Sequence, residues 1–164
     1  MTDSTTETKA IDPLTLDAET GSSYPSPFDE LVQGRKRRRL GDAFGLSQFG
    51  VNLVHLPPGA ASSQRHWHTD EDEFVYVLEG TATLVTDTGS QRLGAGMVVG
   101  FPSGVENSHH LVNESDTEVV FLEIGTRAMN DFCRYGDADL LGERADGRPR
   151  HFTRRDGSPF DDAS

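Results

Sequence analysis

The sequence predicts an all-β chain, and three observations carry that expectation. Short runs rich in β-branched and aromatic residues recur between positions 49 and 126: FGVNLVHL, FVYVL, TATLVTD, MVVGF and EVVFLEI. Turn signals separate them, at Pro57-Pro58-Gly59, Glu79-Gly80, Thr88-Gly89 and Pro102-Ser103-Gly104. Two histidines, His66 and His68, flank a single residue, so a strand of period two sends both imidazoles from the same face.

Taken in order, residues 1–22 are rich in Thr, Ser, Asp and Glu, with Ile11, Leu14 and Leu16 as the only sizeable apolar side chains. Such a segment buries too little to offset its ordering entropy and is expected to be disordered or loosely draped. Residues 23–48 are expected to form an extended arm and an edge strand. Tyr24-Pro25-Ser26-Pro27-Phe28 sets an aromatic ring on each side of two prolines, which suits an arm whose rings dock on the body of the protein or on a partner subunit. The basic run Arg35-Lys36-Arg37-Arg38-Arg39 has two readings: a phosphate or nucleic-acid patch, or an edge strand whose charges discourage pairing with another chain. The strand-like continuation through Leu40 favours the second.

Phe49 to Leu56 reads as a strand, and its His55 stands alone, with no second histidine or carboxylate two residues away. Thr81 to Asp87 and Gln91 to Leu93 form a hairpin about Thr88-Gly89. Met97 to Phe101 is a nearly continuous apolar run, which suits a central strand. In His109-His110-Leu111-Val112-Asn113, period two places His109, Leu111 and Asn113 on one face and His110 on the other. Only one of the paired histidines can therefore point at a shared ion. Glu118 to Ile124 reads as the closing strand. Residues 127–164 are expected to pack on the preceding strands as an irregular extension: 131–135 a short strand or turn, 137–141 a loop or single helical turn, Phe152 and Phe160 anchors.

His66, His68, the following Glu73 and a distant His109 or His110 make a mixed nitrogen and oxygen donor set that a divalent transition metal accepts. Fe, Mn, Ni, Co and Zn suit it, whereas it is too nitrogen-rich for calcium or magnesium. The spacing of Gly59, His66, His68, Glu73 and Gly80 resembles the first signature of the cupin superfamily, with one extra residue before His66. Gly96, Pro102 and Gly104, followed by His109 and Asn113, are similar to the second. Where that family places its histidine this chain has Asn107, and His109 follows two residues later. The resemblance extends over residues 49–126 and implies a cupin-like double-stranded β-helix, a jelly-roll barrel, of the stand-alone single-domain kind. It implies that His66, His68, Glu73 and His109 hold a metal inside that barrel. Glu71 shares the parity of Glu73 and is the reserve ligand, while Trp67 and Tyr76 point the other way and read as packing. Cys133 has no neighbouring base in the sequence.

With 164 residues, the chain is long enough to bury one core without staples. Its single cysteine forms no internal disulfide, which agrees with a reducing compartment, and the opening MTDSTTETKAID lacks the basic and apolar parts of a secretion signal. A cytoplasmic location is expected. A net charge of −12 and a sequence pI near 4.8 repel nucleic acid and anionic lipid, and a mean hydropathy of −0.53 speaks against a membrane protein. The expected partners are a small-molecule ligand or substrate and a second copy of the chain, paired as a homodimer through sheet edges. The functional expectation is a metal-dependent enzyme on a small molecule, of dioxygenase, isomerase or lyase type, with Glu106 or a hydroxide on the metal as base. The alternative is a non-catalytic binding or sensing module.

Overall fold

The computed structural model describes residues 9–160. The disorder expected for residues 1–8 lies outside the described residues. In chain order the strands are β1 (Glu19–Thr20), β2 (Lys36–Arg39), β3 (Phe49–Leu56), β4 (His66–His68), β5 (Glu73–Glu79), β6 (Thr81–Thr86), β7 (Gly89–Gly94), β8 (Val98–Phe101), β9 (His110–Val112), β10 (Val119–Thr126), β11 (Asp131–Tyr135), β12 (Leu141–Arg144) and β13 (His151–Thr153). One helical turn, α1 (Leu40–Ala43), and two 3-10 turns, Pro13–Thr15 and Glu30–Val32, accompany them. No helix among the described residues is long and apolar enough to cross a membrane.

The strands form three antiparallel sheets, ordered β1-β2-β3-β10-β5-β8, β7-β6-β9 and β13-β12-β11-β4, in the jelly-roll arrangement the sequence implies. β10 is the spine of the largest sheet, pairing with β3 along its full length and with β5 on its other side. Inward positions obey period two: Val75 and Val77 of β5 are buried, while Phe74, Tyr76 and Leu78 face outward. Leu56, Val77 and Phe121 of the large sheet meet Leu84, Leu93 and Leu111 of the three-stranded sheet in one buried cluster. Each such side chain contributes about 1.5–3 kcal/mol through its burial. Asn113, fully buried at the end of β9, donates from Nδ2 to the carbonyls of Leu56 and Thr117 at 2.8 Å each and so ties the turn before β10 to β3.

A second cluster joins Cys133, Tyr135, Ala138 and Leu140 to the rings of Tyr24, Phe28, Phe152 and Phe160. Tyr24 meets Tyr135 edge to face with ring centroids 5.8 Å apart, and Phe28 meets Phe160 at 5.7 Å. The aromatic arm thus docks on its own chain, and both expected C-terminal anchors lie beneath it.

Several elements differ from the sequence reading. Residues 9–22 are draped along the sheet margin, where β1 pairs with β2. The basic run is therefore not an edge strand: β2 lies between β1 and β3. The apolar run at β8 is an edge rather than a centre, pairing only with β5 and leaving Val98 54% exposed. Continuous hydrophobicity distinguishes poorly between a strand buried on both faces and an edge strand with an apolar outer face. Tyr76 shares that outer face and is not core. Residues 137–139 form bends without a helical turn, and the C-terminal segment is less irregular than expected, since β11, β12 and β13 build a sheet with β4.

The turn between β5 and β6 depends on a glycine. Gly80 has φ of 76°, and a Cβ placed there would lie 2.8 Å from the carbonyl oxygen of Glu118. Gly96, with φ of 86°, would meet nothing within 4 Å. Gly80→Ala is expected to cost about 2–3 kcal/mol and Gly96→Ala about 1 kcal/mol, because only the first adds a backbone collision to the conformational strain. Urea unfolding midpoints of the two variants check the ordering; equal losses would contradict it.

Candidate metal centre

Three sheets contribute to one cluster. In β4, Trp67 turns away while His66 and His68 are buried, and the strand is held by β11, with His68 opposite Cys133 and His66 opposite Tyr135. On its other side His66 bridges His109 through paired backbone hydrogen bonds of 3.1 and 2.8 Å. Glu73 opens β5, opposite Phe101 of β8 and Gly125 of β10. The pairing of β4 with both neighbours thus carries three imidazoles to the head of β5.

The Glu73 carboxylate is the point of convergence. Nε2 of His109 lies 2.9 Å from it, Nε2 of His66 3.5 Å and Nε2 of His68 3.6 Å. Each ring has its other nitrogen engaged outside the cluster. Nδ1 of His66 donates to the Gln64 carbonyl at 2.8 Å, Nδ1 of His109 to the Asn107 carbonyl at 3.2 Å, and Nδ1 of His68 to Asp131 at 2.6 Å. Phe101 stacks on His109 with centroids 3.4 Å apart and parallel planes. Rings pinned through Nδ1 aim Nε2 inward, which is the orientation a metal requires once the ring sheds its Nε2 proton. His66, Glu73 and His109 offer ligand atoms within 4.8 Å of one another, a set that fits a divalent transition ion, and His68 adds a third imidazole 3.6 Å from the same carboxylate while also grouping with His66 and Cys133.

The sequence-derived residues divide cleanly. His66, His68, Glu73 and His109 come together. His110 does not, since its ring turns away and its Nδ1 bonds the Ser63 carbonyl at 3.0 Å. His55 sits apart, 2.9 Å from Glu118. Glu71 is buried but lies on the Nδ1 side of His68, where Arg144 and Arg150 neutralise it. Glu106, the candidate base, is exposed and lines none of the cavities that reach the histidines.

Residues that sequence reasoning did not bring to the site lie on the inner face of β11. Asp131, Cys133 and Tyr135 alternate inward and are all buried. Asp131, fully enclosed, also accepts from the Asp70 amide at 2.9 Å and from Arg150 at 2.8 Å. The polar alternation Asp131-x-Cys133-x-Tyr135 was a legible signal, but nothing local assigned it to β4. A cavity of about 620 Å³ opens beside His66, His68, Cys133 and Tyr135 and extends toward the arginines of β2 and the C-terminal segment.

Ionisation follows from this crowding. Burial disfavours a charged His66, but the Cys133 sulfur and Glu73 outweigh it and lift its pKa to about 9. His68 is likewise opposed by burial and raised, chiefly by its hydrogen bond to Asp131, to about 11. Burial pushes the Asp131 carboxyl up, yet His68, the Asp70 amide and Arg150 together hold it well below the usual carboxylate range. Burial likewise raises the Cys133 thiol, and the charges of His66 and His68 reverse the effect and draw it down. Tyr135 is driven far up by burial, reinforced by Cys133, and keeps its hydroxyl proton.

Fold and site together describe a small jelly-roll barrel with a histidine and carboxylate cluster suited to a metal. The chain belongs to the cupin superfamily: the cupin domain family matches residues 52–125. A sugar phosphate isomerase from a cupin superfamily, from Silicibacter pomeroyi DSS-3, is 43% identical over 94% of this chain and 98% of that one, with a TM-score of 0.88. A proposed sugar phosphate isomerase from Acidithiobacillus ferrooxidans ATCC 23270 is 32% identical over 73% of this chain and 76% of that one, with a TM-score of 0.68. The polyketide cyclase RemF from Streptomyces resistomycificus shares the fold, at 23% identity over 73% and 79% of the two chains and a TM-score of 0.61. No curated protein matches.

A divalent ion entering this donor set competes with protons on His66 and His68. Because their pKa values are raised, those protons are held through neutral pH, and ion affinity rises as pH increases toward 9. Competition titrations with a chromophoric chelator between pH 6.5 and 8.5 should show affinity for Zn(II) climbing about ten- to hundredfold per pH unit; a flat profile would contradict the assignment of inward Nε2 protons. Asp131→Asn, which removes the negative partner of His68 Nδ1, is expected to weaken the same affinity about 10–100-fold.

Proposed function

We propose that the chain is an enzyme that isomerises a small hydroxy-carbonyl molecule of sugar type, using a divalent transition metal (Fe, Mn, Ni, Co or Zn) held by His66, His68, Glu73 and His109. The observation that carries the proposal is the shared aim of three Nε2 atoms at the Glu73 carboxylate, two of whose rings, His66 and His68, also line a cavity of about 620 Å³. That volume suits a small polar molecule. When bound, the metal supplies a Lewis acid that polarises substrate oxygens. Two relatives above 30% identity, one designated a sugar phosphate isomerase and the other a proposed sugar phosphate isomerase, support an isomerase over a lyase or dioxygenase.

The side chains of this protein account for the remaining needs of such a reaction. An aldose–ketose shift moves one proton between adjacent carbons and another between their oxygens, so it needs donors and acceptors fixed beside the substrate. Cys133 and Tyr135 share the inner face of β11 and both line the cavity next to His66 and His68. Tyr135, whose hydroxyl hydrogen-bonds Cys133 and Tyr24 beside this cavity, is the residue to which this reading gives the role of donor to a substrate oxygen. Tyr24 and Phe152 pack against the Tyr135 ring and fix its direction. Asp131 acts one step back, by holding His68 in the orientation that keeps Nε2 inward.

The test is direct. Metal-loaded protein is incubated in D₂O with phosphorylated and unphosphorylated aldoses and ketoses, and proton NMR follows interconversion and deuterium entry beside the carbonyl. Turnover is expected, with Tyr135→Phe slower by about 10²-fold or more and unchanged in metal content. Absence of turnover with every member of the panel would overturn the enzyme reading. Saturable binding without turnover would then favour the binding or sensing module.

A further inference from the structure

The large cavity reverses the charge of the molecule around it. The chain carries a net charge of −12, yet seven arginines line this space and Asp42 is the one carboxylate among the lining residues. Alternation along the second strand explains part of this. Arg35, Arg37 and Arg39 line the cavity, while Lys36 and Arg38 between them do not.

Four of the seven guanidinium groups are committed to carboxylates. Arg39 pairs with Glu19 at 2.7 Å, Arg127 pairs with Asp42, Arg144 reaches Glu71 at 3.4 Å, and Arg150 holds Asp131 and Glu71 at 2.8 and 3.1 Å. Arg35, Arg37 and Arg148 make no ion pair among the described residues. Arg35 hydrogen-bonds only the Ser62 carbonyl. Arg37 Nε is buried without a hydrogen-bond partner, and so is Nε of Arg144. A buried donor left unpaired costs about 1–3 kcal/mol, so these two are stability costs that the arginine wall carries. Burial lowers the Arg35 pKa, and the like charge of Arg37 lowers it further, against the opposing pull of Glu123, which places the two guanidinium groups close together.

We propose that Arg35, Arg37 and Arg148 bind the phosphoryl group of a small molecule whose other end reaches His66 and His68. The cavity touches both the arginines and the histidines, so one ligand can span them. The planar, multiply donating guanidinium matches the several oxygens of a phosphate monoester, and three guanidinium groups outside any close ion pair suit its charge of nearly two. The assignment rests on the isomerase reading only for what happens at the histidine end. The basic run of β2 is, on this account, a phosphate patch turned inward rather than an aggregation guard.

The test uses inorganic phosphate as probe and protein stripped of metal by chelation, so that an ion cannot be what binds it. Phosphorus NMR or calorimetry should show saturable binding that weakens as sodium chloride is raised. Arg37→Met is expected to weaken it at least about tenfold, and Arg148→Gln, a change at an exposed position with little risk to folding, about three- to tenfold. Arg92→Gln, on exposed β7, should leave it unchanged. No saturable binding, equal binding by Arg148→Gln and the parent, or succinate binding as tightly as phosphate would each overturn the assignment. Phosphate binding that follows this pattern in a protein without isomerase turnover would uphold the subsite and remove the isomerase reading, so the two fail separately.

Discussion

Three imidazoles around one carboxylate would ordinarily swing apart or bond one another, and what prevents this is the anchoring of each Nδ1 outside the cluster. Two anchors are backbone carbonyls close in sequence, Gln64 for His66 and Asn107 for His109, so they form as soon as the local chain does. The third is Asp131, which approaches His68 from 63 residues away. Asp131 is itself immobilised by the Asp70 amide and by Arg150, which also holds Glu71. Orientation of the donor set therefore extends outward through a buried ionic network into the C-terminal segment. Networks of this kind specify geometry at a desolvation cost, and removing one member leaves its partners buried and unmatched.

That dependence explains the architecture. The hydrophobic core between the six-stranded and three-stranded sheets is complete without β11, β12 or β13, none of which contributes to it. The C-terminal strands instead pair with β4 and enclose a second cluster, sealed by the N-terminal aromatic arm. Apolar burial stabilises the barrel, while the outer segments shape a cavity beside the histidines and supply most of its charge. The two chain ends, which look like appendages in composition, thus form much of the wall around the place where a ligand would sit.

Much of the barrel was legible because strands are local objects. Phe49–Leu56, Glu73–Glu79 and the hairpin of β6 and β7 follow from period two and from turn residues, and the same parity separated His109 from His110. Where the reading failed, two environments share one local pattern. The apolar run at β8 reads alike as centre or edge, and the arginines of β2 read alike as a guard against aggregation or as a pocket wall. Polar residues on β11 were visible as an alternation without an address.

The sequence by itself determined most strands of residues 49–126, the paired imidazoles and the carboxylate that follows them, because backbone periodicity and short-range spacing are written in neighbouring residues. Tertiary structure alone decided that β11 lies beside β4, that Asp131 holds His68, and that the side chains of Arg35 and Arg37 share a cavity with Arg148. Those meetings join residues dozens of positions apart. Their formation depends on how the sheets close and on which buried charges find partners, quantities that no local window of the chain contains.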